Sequence, residues 1–160
     1  MLYDYNRWCN ARILDAAAGL TADQFLGPGR FPHGGVRGTL VHTLFAEWAW
    51  RMRWQGTPPR DPTPLRPDEF PTLAALHARW KAEDALLKDF VDGLTDQRLT
   101  SMLEYSSTEG GRHTRVLWET MVHLVNHGTQ HRAEAAAMLT DLGHSPGDID
   151  LIVYLNENRG

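Results

Sequence analysis

A single thiol, Cys9, is the only cysteine in 160 residues. That excludes an intramolecular disulfide and a cysteine-based metal cluster within one chain. An excess of positive charge is also missing, since 16 lysines and arginines face 20 aspartates and glutamates, for a net charge of -4. With no dominant basic field to release counterions from phosphates, direct nucleic-acid binding is not expected. There is no long uncharged apolar run, basic leader region or small-residue cleavage site, so no membrane span is expected and the chain reads as cytoplasmic. No internal repeat, low-complexity tract or linker divides it. Residues 1–160 are therefore expected to form a single domain, large enough to bury a core without covalent staples.

Six tryptophans stand out at this length. They suggest bulky packing between helices, and an aromatic-lined pocket as a second use. Helical spacing of apolar residues predicts a first helix from Tyr3 to Leu20, with Trp8, Ala11, Ile13, Leu14 and Ala18 inward. Thr21 and Gln24 form a capping-box pattern for a short turn, which ends in the Gly- and Pro-rich loop 27–35. A second helix is expected over Gly38–Gln55, carrying His42 among Leu40, Leu44, Phe45 and Trp48. Pro58, Pro59, Pro62, Pro64 and Pro67 then prescribe an extended crossover from Gly56 to Pro71. The third helix, opened by Pro71-Thr72, presents Leu73, Leu76, Trp80, Leu86, Leu87, Phe90 and Val91, and ends near Gly93. Residues 99–106 and 113–117 flank Gly110-Gly111 and suggest a small hairpin. Leu117–Leu142 is the longest helix, stopped by Gly143, and 148–156 is one more short one. Four long helices and one crossover point to an all-α four-helix bundle.

The longest helix holds His123-Leu-Val-Asn-His127-Gly-Thr-Gln-His131. Residues four apart are rotated only about 40° from one another, so the three imidazoles share one face. Two imidazoles one turn apart can close on one metal ion if a third ligand comes from elsewhere. His42, on a core-facing helix, is the candidate third ligand. Three neutral imidazoles suit zinc, nickel, copper or iron, and leave a coordination position open, which is the layout of a catalytic site. Spacing alone leaves a second reading open, in which His42, His127 and His131 are separately hydrogen-bonded core residues. Cys9 is a poor nucleophile, because it lies on a core-facing helix with no activating cation evident.

Tyr5-Asn6-Arg7-Trp8-Cys9-Asn10, Leu40-Val41-His42 through Glu47-Trp48, and Asn126-His127 through His131-Arg132 together resemble the DinB/YfiT-like family of metalloproteins, unrelated to the polymerase of the same label. Tyr5-Asn6-Arg7-Trp8-Cys9-Asn10 is similar to the family's opening Y-N-x-W-x-N. Leu40-Val41-His42 through Glu47-Trp48 resembles its second-helix pattern of a histidine followed by an acid and an aromatic. Asn126-His127-Gly128-Thr129-Gln130-His131-Arg132 matches its N-H-x-x-x-H-R signature. Where the family commonly continues Gly-Gln after the arginine, this chain has Ala133-Glu134. The resemblance implies an up-down-down-up four-helix bundle, often a homodimer, with a divalent metal on His42, His127 and His131. The ion is expected to be zinc or nickel, with iron or manganese as alternatives. His123 matches no family ligand. Asn126 and Arg132 are the next residues of interest, and Glu47 or Glu134 could orient a ligand.

The same resemblance implies a metal-dependent enzyme that joins a low-molecular-weight thiol to a small electrophile, as an S-transferase or isomerase. A non-enzymatic stress- or DNA-damage-induced metal protein is the alternative, and a haem-binding bundle is a third class. His33, His77, His113 and His144 fall in expected loops or on polar faces and carry no expected role.

Overall fold

Each amphipathic helix needs a partner to cover its apolar stripe, so four of them close on one another. The computed structural model describes residues 1–56, 63–107 and 110–158. Its long helices are α1 (Leu2–Ala17), α3 (Val36–Trp54), α4 (Leu73–Asp92) and α6 (Leu117–Asp141). Around the bundle the packing order is α1, α6, α3, α4. Shorter elements join them: α2 (Ala22–Leu26), α5 (Asp96–Leu99), α7 (Leu151–Asn158) and the antiparallel hairpin of β1 (Met102–Ser106) and β2 (Arg112–Val116).

The helix directions follow from side-chain contacts. Trp54 and Phe90, at the ends of α3 and α4, stack at 5.7 Å, and Glu47 meets Trp80 further back, so these helices run parallel. Trp54 Nε1 donates to Thr120 Oγ1 near the start of α6, while His42 lies against His131 near its end, so α3 and α6 are antiparallel. Tyr3 reaches Met121 and Asn10 reaches Arg132, which makes α1 parallel to α6. This is the up-down-down-up arrangement. Parallel α3 and α4 require a connection as long as a helix, and the proline-rich stretch supplies it. Pro58, Pro59 and Pro62 fall outside the described residues; Pro67 opens a 3₁₀ turn, Pro67–Glu69, before Thr72 caps α4 through its side chain.

The core has two large apolar layers and a smaller cluster of Tyr5, Cys9 and Val125. Ile13, Leu40, Leu44, Leu76 and Leu139 fill one, and Trp54, Leu87, Leu117 and Leu124 the other. Each such side chain contributes about 1.5–3 kcal/mol on burial. Between the layers lie buried Asn6, Asn10, Glu47, Arg51, Glu83 and Arg132. Arg51 forks onto Glu83, which also accepts from Arg79, so α3 and α4 are tied by a fully buried carboxylate.

Some elements depart from the sequence pattern. Leu86, expected inside, is 48% exposed, because Leu87 and Glu83 take the inward positions of α4. Ala11 and Ala18 are also exposed. Thr95, capping through its side chain, starts a one-turn helix, α5, that apolar periodicity does not reveal. Among the described residues no helix is long and apolar enough to cross a membrane.

Candidate metal centre

Antiparallel packing of α3 on α6 brings the two histidine-bearing faces together. His42 Nε2 and His127 Nε2 are 3.1 Å apart. The His131 ring centroid lies 4.5 Å from that of His42 and 4.4 Å from that of His127. The rings of the three residues picked out by spacing and resemblance thus lie side by side, although the trio whose nitrogens are all mutually close is a different one that leaves out His127. A fourth histidine joins them: His33, in the loop before α3, stacks on His42 with centroids 3.6 Å apart. Nitrogens of His33, His42 and His131 all fall within 4.8 Å of one another, so this group could hold a metal ion. His123 stands apart, its ring 5.7 Å from His127 and edge-on to Trp50 at 5.3 Å.

The donor set suits a divalent transition ion. Zinc–imidazole bonds of about 2.0–2.1 Å place neighbouring nitrogens of a tetrahedral site about 3.3 Å apart, near the His42–His127 separation. Two imidazole lone pairs cannot face each other that closely unless a proton or a cation lies between them. The rings are also held in the neutral form that metals require. Burial, reinforced by the neighbouring imidazoles, lowers the pKa of His42 to about 3 and that of His127 to about 4. Burial lowers His33 as well.

These shifts make the metal-free protein acid-sensitive. In the unfolded chain both imidazoles take up protons as pH falls through their ordinary value of 6.5, whereas the folded ones stay neutral until about pH 3–4. Proton uptake then favours the unfolded state, so stability declines as pH drops from about 7 to about 4. The urea midpoint of chelator-treated protein is expected to fall over that range, and less steeply in His42→Phe. Equal slopes for the two proteins would contradict the assignment.

Glu134 orients one of the clustered histidines. Its Oε2 lies 2.8 Å from His131 Nδ1, so Nδ1–H donates to the carboxylate and Nε2 is left free to face the cluster. The acid that departs from the family pattern therefore sits against the site. Glu47 does not: its carboxylate accepts from Asn6, Asn10 and Trp80, turned away from the histidines. Arg132 Nη1 donates to Asn6 Oδ1 at 2.6 Å and Asn10 Oδ1 at 3.0 Å, so it joins α6 to α1. Gly128 makes that reach feasible, because a Cβ there would lie 2.6 Å from Arg132 Nη1. Asn126 is exposed. Cys9 is buried, its thiol donates to Ile149 O at 3.4 Å, and burial raises its pKa, all of which disfavour a nucleophilic role.

Beside the cluster, Trp50, Tyr105, Arg115, Glu119, Thr120 and His123 line a cavity of about 370 Å³ between α3, the hairpin and α6. Trp50 stands on its wall, whereas Trp54 and Trp80 are buried in the core, the bulky packing that the tryptophan content suggests. The residue that sequence reasoning missed is His33. Its local signal was Phe31-Pro32-His33-Gly34, with proline and glycine at positions that favour a tight turn, but nothing in that signal says where the turn points.

Comparison with known proteins agrees with the geometry. The model of the DinB family matches residues 1–159. Protein DinB of Bacillus subtilis (strain 168) is 24% identical over 158 residues, covering 96% of this chain and 91% of that protein.

Proposed function

Because the chain belongs to the DinB family along its length, we propose that it is a metal-dependent enzyme whose histidine cluster serves transfer of a small thiol to an electrophile. The gathering of the His42, His127 and His131 rings, one from α3 and two from α6, is the observation that carries this reading. His42, His127 and His131 would hold a divalent ion, zinc or nickel first. Such an ion supplies Lewis acidity, which lowers the pKa of a thiol as it does that of water. The protein's own residues do the rest. Glu134 fixes the His131 tautomer, burial keeps the imidazoles unprotonated, and the cavity walled by Trp50 and Tyr105 gives an apolar electrophile a place beside the cluster. Sulfur forms its bond to the electrophilic carbon as the leaving group departs, and the thiol proton passes to solvent. The thiol itself rests on family resemblance.

The test is turnover. Metal-loaded protein, offered a panel of small thiols and an alkyl or aryl halide, is expected to show saturable conjugation that disappears on chelation. Full metal occupancy and an intact fold with no conjugation by any thiol would overturn the transferase reading in favour of a structural or sensory metal.

A further inference from the structure

We propose that His33 is a fourth, displaceable donor to the ion, so that the site is closed at rest and opens when an incoming ligand replaces this imidazole. The inference rests on the metal-centre reading above. It starts from the backbone. Phe31-Pro32-His33-Gly34 forms a tight turn closed by Gly34 N–H donating to Phe31 O at 2.8 Å, with Gly34 in the left-handed region at φ 83°. Three glycines pin that turn in place. A Cβ at Gly38 would sit 1.9 Å from the His33 carbonyl oxygen, one at Gly35 would sit 2.0 Å from Gly27 O, and one at Gly29 would sit 2.5 Å from Gly34 O. No other residue type permits such approaches. The His33 backbone is thus pressed onto the first turn of α3, and Gly38 lies one turn before His42. A turn packed this tightly leaves motion mainly to the His33 side chain.

The side chain is poised next to the ligand set. Its ring lies parallel to His42 within 12° and edge-on to His131 with centroids 5.0 Å apart. Stacking is not coordination: an imidazole lone pair lies in its ring plane, and two nearly parallel planes 3.6 Å apart do not meet at one ion. A rotation of the His33 ring out of the stack turns a nitrogen, already within 4.8 Å of those of His42 and His131, toward the shared point. The same ring therefore has two resting places, one on His42 and one on the ion. His33, His42 and His127 are half-buried and His131 is buried, but His33 alone of the four sits in a turn outside α3 and α6, so its departure disturbs neither helix, which makes it the donor that solvent-borne ligands can replace.

Cobalt(II)-loaded protein tests this through its visible spectrum and through azide binding, neither of which needs turnover. If His33 occupies the ion about nine-tenths of the time, azide is expected to bind about tenfold more tightly to His33→Ala, because nothing has to be displaced. The cobalt bands should shift in the variant, and cobalt affinity should fall. His33→Phe separates ligation from stacking, since phenylalanine can cover His42 but offers no nitrogen; it should behave like His33→Ala. One equivalent of cobalt with wild-type spectrum and azide affinity in both variants would overturn the proposal and leave the three-histidine centre standing. Azide affinity raised in His33→Ala but not in His33→Phe would reduce His33 to a packing ring. A wild type that takes up no cobalt would overturn the metal centre itself.

Discussion

Glu47→Ala is expected to destabilise the protein by about 3–5 kcal/mol, the usual cost of removing one partner from a buried charge network. For a chain of this size that corresponds to roughly 6–20 °C in melting temperature. The reason lies in how the carboxylate is used. Oε1 accepts from Asn6 Nδ2 and Asn10 Nδ2, both at 2.7 Å, and Oε2 accepts from Trp80 Nε1 at 2.8 Å. The two amide oxygens then accept from Arg132, so each asparagine relays one charge to the other. Four helices meet there: α1, α3, α4 and α6. Desolvation raises the Glu47 pKa, and its three donors and Arg132 oppose that shift. Alanine leaves three buried donors unpaired and Arg132 without its counter-charge. Arg132→Met should cost a comparable amount. Glu47→Ala combined with Arg132→Met should cost about 0.5–3 kcal/mol less than the sum of the two single changes, because each single change strands the other charge. Thermal melts of the single and double variants measure this. Strict additivity, or a Glu47→Ala loss below about 1 kcal/mol, would mean that the two charges do not depend on each other.

This network explains why some of the chain was legible and some was not. Asn6 and Asn10 could be recognised as a motif, and their spacing of four puts them on one face of α1. Their purpose could not be read, because their partners Glu47 and Arg132 lie tens of residues away in sequence. The same holds for Glu83 and Arg51, which a hydrophobic pattern assigns to the surface and which only a tertiary partner permits inside. The histidines of α6 were legible for the opposite reason, since a period of four residues is itself the geometry of a shared helix face. His42 was legible because its neighbours are apolar at helical spacing. His33 has neither advantage: it sits in a loop of glycine and proline, where local rules give a turn but no direction. The prolines after α3 pointed to a long connection, whereas the parallel pairing of α3 and α4 was implied only by the family resemblance.

His127→Ala and His42→Ala are each expected to lower metal affinity by more than about 100-fold, beyond the 10–100-fold that residues orienting a ligand typically control. His123→Ala should bind metal as the wild type does. All three residues are histidines, and His123 and His127 share a face of α6, so the comparison isolates position from chemistry. His127 Nε2 lies 3.1 Å from His42 Nε2, on the far helix, whereas His123 packs against Trp50. Glu134→Gln, which keeps a side chain of the same shape on His131 Nδ1 but removes the charge, should fall between, within the 10–100-fold range. Folding supplies an independent readout. An ion that binds only the folded state stabilises it by about 2.7 kcal/mol at one hundred times its dissociation constant. Added zinc should therefore raise the melting temperature by roughly 5–11 °C in the wild type and in His123→Ala, and by far less in His42→Ala and His127→Ala. If His123→Ala lost the zinc response while His127→Ala kept it, the ion would have to sit one turn nearer the cavity, between α6 and Trp50, and the cluster around His42 would be a set of packed imidazoles. The antiparallel register of α3 on α6 argues for the first outcome, because it aligns His42 with the turn between His127 and His131 and aligns Trp50 with His123.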